Sequence, residues 1–341
     1  MRTNPRKGGH RGVAPPDPLN VLYVIGSFLG FAGSARRYRQ YFRRMPGWHI
    51  HPLVVTIPPH KHKSINTIDV NGEKDRTPPL ADHGLVWHQS VEGIPTTVIR
   101  TFLENSWLRR CMLFVLVFWV LLTRKDIHLV HVLQQAKTKT LPYALLLKAF
   151  PLPKVLSITQ DINVPRTPLT RWLQRIQYNC YDSVICQSER QHSILSELHV
   201  RPDLTIVPNG VDTARLRPLP TEADKHALRS RLGLPRDALL FLYVGSVQPR
   251  KGTDILLEAW KEVIASRPNM RLLIVGPRFD LNQPRWVGFA AKIQGLMKAW
   301  GMSDSVTFYG YRREVLEFLQ AADGLSFHPT ERVCQMPYSR Q

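Results

Sequence analysis

The residues best suited to chemistry lie in the run Gly245-Ser-Val-Gln-Pro-Arg250-Lys251-Gly252. Two glycines and an adjacent pair of cations follow an apolar strand, Leu239–Val244, and precede a helical stretch, Asp254–Ser266. The N–H groups that open a helix attract anions, and a cation beside them adds charge. That combination suits a diphosphate. The spacing is not GxxxxGK[ST], so the run is not a P-loop. Read alone, the same residues would also make a basic surface turn. Other apolar runs end on glycine in the same way: Leu19–Ile25 at Gly26, Leu204–Val207 at Asn209-Gly210, Arg271–Val275 at Gly276 and Ser305–Tyr309 at Gly310-Tyr311.

Such residues need strands that end along one rim and helices that begin there. The pattern supplies them. Helices are predicted near 35–44, 105–123, 140–149, 169–179, 189–198, 254–266, 286–300 and 314–321. Strands are predicted at Trp48–Ile57, Ile127–Leu133, Lys154–Thr159, Ser183–Gln187 and Gly324–Phe327, besides those already named. Leu85–His88 and Thr96–Arg100 flank a Glu92-Gly93 turn and read as a pair, and 58–83 reads as a long polar loop. Strands alternating with helices across short connections predict α/β domains with parallel sheets covered on both faces. Four segments follow: a basic tail at 1–17, a Rossmann-like domain at 18–214, a linker with a short helix at 215–237, and a second Rossmann-like domain at 238–341. A cleft is expected between the domains. Ligands in such sheets bind beyond the carboxyl ends of the strands.

The 341 residues carry 46 Lys+Arg against 26 Asp+Glu, a formal charge of +20. The excess is concentrated in residues 1–234, with 32 basic and 16 acidic side chains, against 14 and 10 in the remainder. An anionic membrane surface, an anionic acceptor, a nucleic acid or simple solvated charge would each fit that imbalance. No zinc-ligand spacing, RNP motif or basic zipper supports the nucleic acid. Four cysteines without a CxxC pair point to a reducing compartment. The first 17 residues lack the apolar stretch of a secretory signal. The histidines fall in loops or alternate along strands, so no metal site is expected. One apolar run, Cys111–Leu122, is too short to span a bilayer, which takes about 20 residues. It reads either as a buried helix or as an interfacial one, with Trp107 and Trp119 at headgroup level and Arg109, Arg110, Arg124 and Lys125 on lipid phosphates.

Taken in order, "GSFLGFAGSARR", "LTIVPNGVD", "FLYVGSVQPRKGTDILLEAW", "RLLIVGP" and "VTFYGYRREVLEFLQAADGLSFHPT" resemble glycosyltransferase family 4 across about residues 19–330. The resemblance implies the GT-B fold and transfer of a hexose from a nucleoside-diphosphate sugar to a hydroxyl acceptor, with retention. The acceptor would be a glycan or lipid-linked glycan. The nucleotide sugar is then a co-substrate, and no cofactor is implied. Lys251 matches the family's lysine on the donor diphosphate, with Gly252 closing that loop. Ser246 stands where relatives carry Arg, a charge that Arg250 would replace. Gly310 and Tyr311 match the loop that recognises the nucleobase, and Thr330 a Ser/Thr near the phosphates. Gly26, Gly33 and Ser34 match the loop lining the cleft, and Asn209 and Gly210 the turn closing the first domain. Asn209, Gly210 and Gly310 would also serve as plain turn residues.

Two departures stand out. Gln160 occupies the place of a His that precedes Asp161 and helps position the reacting sugar. The family's two Glu, separated by seven intervening residues, find no counterpart in either register of Pro329–Gln341; Glu331 is the nearest carboxylate. The expectation is therefore a C-terminally truncated chain with an incomplete second domain. Beside the enzyme stand two alternatives: an inactive fragment or nucleotide-sugar-binding protein, and a basic membrane-surface protein without sugar chemistry. The expected location is cytoplasmic, at the inner face of a membrane.

Overall fold

In strand β1, Leu19–Ile25, residue side chains alternate between two separate cores. Val21, Tyr23 and Ile25 enter one, and Leu22 and Val24 the other. The part buried on both faces, Val21–Ile25, must be apolar throughout, which is why it reads as a continuous run rather than an alternating one. The computed structural model describes residues 18–25, 28, 33–56, 86–91, 93–99, 106–133, 140–159, 162, 167–276, 284–312 and 314–326. These divide into two units at Val207/Pro208.

The first unit holds an eight-stranded sheet. Its strands are β1, β2 (Ile50–Thr56), β3 (Val86–Val91), β4 (Ile94–Ile99), β5 (Leu129–Leu133), β6 (Lys154–Ser157), β7 (Ser183–Cys186) and β8 (Asp203–Ile206), in the order β3-β4-β2-β1-β5-β6-β7-β8. All pairs are parallel except β3–β4, the hairpin expected around Gly93, which takes φ 86° there. Helix α1 (Gly33–Phe42) covers one face through Tyr38 and Phe42. Helices α2 (Ser106–Thr123), α3 (Leu141–Leu147), α4 (Pro168–Tyr178) and α5 (Glu189–Glu197) cover the other. Their starts are locally encoded. Thr167 and Thr170 form a reciprocal capping box ahead of α4 with Pro168 in the first turn, and Ser188 caps α5.

The second unit holds α6 (Glu222–Arg231) and a parallel sheet of β9 (Leu239–Val244), β10 (Met270–Val275), β11 (Val306–Gly310) and β12 (Gly324–Leu325), in the order β11-β10-β9-β12. Helices α7 (Thr253–Ser266) and α8 (Pro284–Ala299) pack on one face around Leu257, Trp260 and Ile293. Helix α6 and α9 (Val315–Ala321) pack on the other around Leu228 and Phe318. Both units are thus the doubly wound α/β sheets that the sequence pattern predicts.

Three expectations are revised. Residues 215–237, read as a linker with a short helix, hold the ten-residue α6, and Leu228 and Leu234 of this segment join Ala238 in the core on the α9 face. Arg229 explains why a charged stretch folds inward. It is 4% exposed, and its guanidinium donates to the carbonyls of Ala321, Arg236 and Ala238 and to Asp323. The strand expected from Trp48 begins at Ile50, because Pro46 and Gly47 favour a 3-10 turn over Met45–Trp48 and His49 turns left-handed at φ 56°. Helix α2 satisfies neither of its two readings alone. Leu113, Leu116, Val117, Val120 and Leu121 are buried, whereas Val115, Trp119 and Leu122 are exposed.

Candidate active site

Three adjacent strands of the second sheet end on glycine: β9 at Gly245, β10 at Gly276 and β11 at Gly310. The backbones are tied there. The Gly245 N–H donates to the Val275 carbonyl at 2.9 Å, and the Gly276 N–H to the Gly310 carbonyl at 2.7 Å. Gly276 takes φ 153°, and a Cβ on it would stand 2.0 Å from the Gly245 oxygen. No side chain fits. Gly310 takes φ 67°, again a glycine conformation. The outcome is a ledge of bare backbone at the carboxyl rim, which lets a ligand approach the main chain closely.

The loop after β9 is held over this ledge. The Tyr243 hydroxyl donates to the Lys251 carbonyl at 3.2 Å, and Gln248 Nε2 donates to the Ser246 hydroxyl at 2.6 Å. A 3-10 turn at Pro249–Lys251 brings the chain to Gly252, where φ 63° redirects it into α7. Gly252 offers no side-chain cap to the first turn of α7. The opening N–H groups of a helix lack intrahelical partners, so this 14-residue helix presents its positive end uncapped. Asp254 in the first turn would oppose an anion, but Lys292 of α8 meets its carboxylate at 2.6 Å. Thr253 is fully buried, and its hydroxyl has no hydrogen-bond partner among the described residues. Beyond β11, the Arg312 guanidinium lies 5.8 Å over the Tyr309 ring, its Nε buried and unpartnered among the described residues.

Of the residues chosen from the sequence, Ser246, Lys251, Gly252, Gly310 and Tyr311 thus stand on one rim of the second unit. Arg250 is in the 3-10 turn of the same loop. Asn209, half-buried, and Gly210, exposed, follow β8 at the start of the second unit. In the first unit, Gly33 and Ser34 open α1. Phe28, in the loop before α1, is fixed by donating its N–H to the Thr56 hydroxyl and accepting from Arg39 at 2.8 Å. Gly26, Gln160, Asp161 and Thr330 lie outside the described residues, as does Pro329–Gln341. Gly276 was read in advance only as a strand end, and Tyr243 and the Asp254–Lys292 pair were not singled out. A glycine after "LLIV" was the available signal for the first; the other two depend on contacts between elements that carry no local mark.

Residues 74–215 match the family described as "Glycosyltransferase Family 4", and residues 224–331 that described as "Glycosyl transferases group 1". A D-inositol 3-phosphate glycosyltransferase of Stackebrandtia nassauensis is 34% identical over 152 residues, 42% of this chain and 32% of that protein. One from Acidothermus cellulolyticus is 45% identical over 112 residues, 31% of this chain and 23% of that protein. The matched part therefore spans about a third or less of these relatives' length. Among solved structures, Alr3699/HepE of Anabaena in complex with UDP and glucose superposes with a TM-score of 0.62 at 16% identity, covering 91% of this chain and 74% of that one. WaaG, a glycosyltransferase involved in lipopolysaccharide biosynthesis, gives 0.60 at 17% identity, covering 91% and 75%.

Proposed function

We propose that this chain, which belongs to the family-4 type of glycosyltransferases, transfers a hexose from a nucleoside-diphosphate sugar to a hydroxyl acceptor with retention at the anomeric carbon. The observation that carries the reading is the bare ledge of Gly245, Gly276 and Gly310 beside the uncapped start of α7. Lys251 and the opening amides of α7 supply positive charge where a leaving diphosphate would gain negative charge. In the transfer, the acceptor oxygen bonds to the anomeric carbon as the bond from that carbon to the diphosphate breaks. The diphosphate leaves with the electron pair, and the hydroxyl proton passes to it.

Within this reading Ser246, Arg250, Lys251, Gly252 and Thr330 serve the phosphates, and Gly310 and Tyr311 the nucleobase. Gln160 and Asp161 flank the sugar, Gly26, Gly33, Ser34, Asn209 and Gly210 line the approach, and no separate cofactor takes part. The binding of UDP by the Anabaena neighbour supports a nucleotide donor. The acceptor is a glycan or lipid-linked glycan, the site of action is the cytoplasmic face of a membrane, and contact of residues 107–125 with that membrane belongs to the same reading. Calorimetric titration of UDP and GDP into wild type and Lys251→Ala tests the donor site. Binding that weakens at least tenfold in the variant supports it; equal binding by both removes Lys251 from the site. A protein that binds nucleotide yet releases none from any nucleotide sugar is a nucleotide-sugar-binding protein instead.

A further inference from the structure

Helix α2 is apolar on every side, with no charged residue between Cys111 and Thr123. Its inner side closes the core, and Phe114 and Phe118 meet Tyr143 and Phe150, at the neighbouring α3, edge to face. The outer side remains. Val115, Trp119 and Leu122 recur at i, i+4 and i+7, opposite the buried stripe, and are 62%, 50% and 49% exposed. The same outward side continues across the layer. Leu145 of α3 is 47% exposed, and Leu169 and Trp172 of α4 are 64% and 58% exposed. Thr140, at the start of α3, accepts a hydrogen bond from Gln177 of α4, so the three helices form one sheet-covering layer. Six large apolar side chains, two of them Trp, thus face outward from adjacent helices of one unit. Surface Leu or Trp residues are ordinary singly; a cluster of this kind marks an interaction surface.

The charges decide what it meets. None of α2, α3 and α4 contains a carboxylate. Between Ser106 and Tyr181 there are eleven Lys and Arg against two Asp. One of those, Asp126, is held by Arg124 at 2.7 Å. Lys125, Lys148, Arg171 and Arg175 are exposed, each within three residues in sequence of Leu122, Leu145 or Trp172. A protein partner of mixed surface charge would ask for carboxylates as well. An apolar centre with Trp and a rim of cations alone is the complement of anionic headgroups over acyl chains. No helix among the described residues is long and apolar enough to cross a membrane, so the contact is one of lying on it.

We propose that the outer side of α2, α3 and α4 is a docking surface for an anionic lipid bilayer, with Trp119 and Trp172 seated at the headgroup level. The surface is wider than the single helix read from the sequence, and it stands independently of the donor site.

Co-sedimentation of the full chain with vesicles tests it. Phosphatidylglycerol-rich vesicles should bind the protein, and pure phosphatidylcholine vesicles should bind it far less. Lys125→Ala with Lys148→Ala should weaken anionic binding about 30-fold, at roughly fivefold per cation near such a surface. Trp119→Glu with Trp172→Glu should weaken it at least about tenfold. These side chains are exposed, so circular dichroism and melting should be those of wild type. The Trp variants retain every cation, and the Lys variants every Trp, so either pair alone exposes a failure. Unchanged binding in the folded Trp variant, equal binding to neutral and anionic vesicles, or no vesicle binding at all would overturn the proposal. So would a wild-type dimer in light scattering that the Trp variant dissolves, since a second copy would then be the occupant.

Discussion

Replacing Gly276 by Ala should break the ledge on which the donor site rests. The added Cβ would sit 2.0 Å from the Gly245 oxygen and 2.5 Å from its carbonyl carbon. Both are backbone atoms, so no side chain can swing away, and the ends of β9 and β10 must part by about 1.4 Å or more to reach ordinary contact. Two further costs add. A residue with a side chain at φ 153° is strained by about 1–3 kcal/mol, and overpacking typically costs about 1–3 kcal/mol. The bonds from Gly245 to Val275 and from Gly276 to Gly310 also lengthen. The expected loss is about 3 kcal/mol or more, a fall of roughly 10 °C in the melting temperature of the second unit. Gly295 is the internal control. It is exposed in the middle of α8, and a Cβ there meets nothing within 4 Å. Gly295→Ala should therefore stabilise by about 0.5–1 kcal/mol through helix propensity. Urea unfolding and UDP titration of both variants read the two effects. A Gly276→Ala protein that melts with the wild type and binds UDP equally well would refute the reasoning about the ledge.

Three other outcomes follow from the packing. Asp323 accepts from Arg229 at 2.6 Å, Lys225 at 2.5 Å and the Leu240 N–H at 2.8 Å, joining α6 to the strand pair β9–β12. Asp323→Ala should destabilise the second unit by about 3 kcal/mol, because Arg229 is left buried without its anion; urea unfolding reads it. Burial alone would raise the Asp323 pKa, but its hydrogen bonds from Lys225, Leu240 and Arg229 outweigh that and hold it below the ordinary value. A depressed carboxylate stabilises above its unfolded pKa, near 3.9, so this contribution should be lost only as pH falls further, through the folded value. His131 behaves differently. Its ring meets the Ser157 hydroxyl at 2.7 Å, and burial pushes its pKa from 6.5 down to about 4. The unfolded chain takes the proton first, so the first unit should lose stability as pH falls from about 6.5 to 4, by at most about 3 kcal/mol. His131→Phe should flatten that window in pH-dependent thermal melts while leaving the acid limb from Asp323.

The sheets were readable because their central strands are buried on both faces: β1, β9 and β10 announce themselves as near-continuous apolar runs closed by Gly26, Gly245 and Gly276. The loop carrying Lys251 was readable for the same reason, since strand, glycine, cation and helix follow one another in the chain. What escaped depends on distance in sequence. Asp323 and Arg229 are 94 residues apart, and nothing local announces that three charges will close a sheet edge. The burial of Arg229 likewise hid the fact that 215–237 belongs to a folded core. Gly276 is demanding only because Gly245 passes beside it, which no single segment records. Helix α2 was apolar on all sides and so gave no sign of which side faces out. That orientation depends on the edge-to-face packing of Phe114 on Tyr143 and of Phe118 on Phe150.

The most direct test of the central claim is transfer itself. The protein is incubated with UDP- and GDP-hexoses and hydroxyl acceptors, including lipid-linked glycans on anionic vesicles. Release of nucleoside diphosphate and the anomeric configuration of the product are followed by NMR. Release is expected with at least one donor, with a product that keeps the donor's anomeric configuration, and both are lost in Lys251→Ala. Nucleotide binding without release from any donor, or a product of inverted configuration, would contradict the claim.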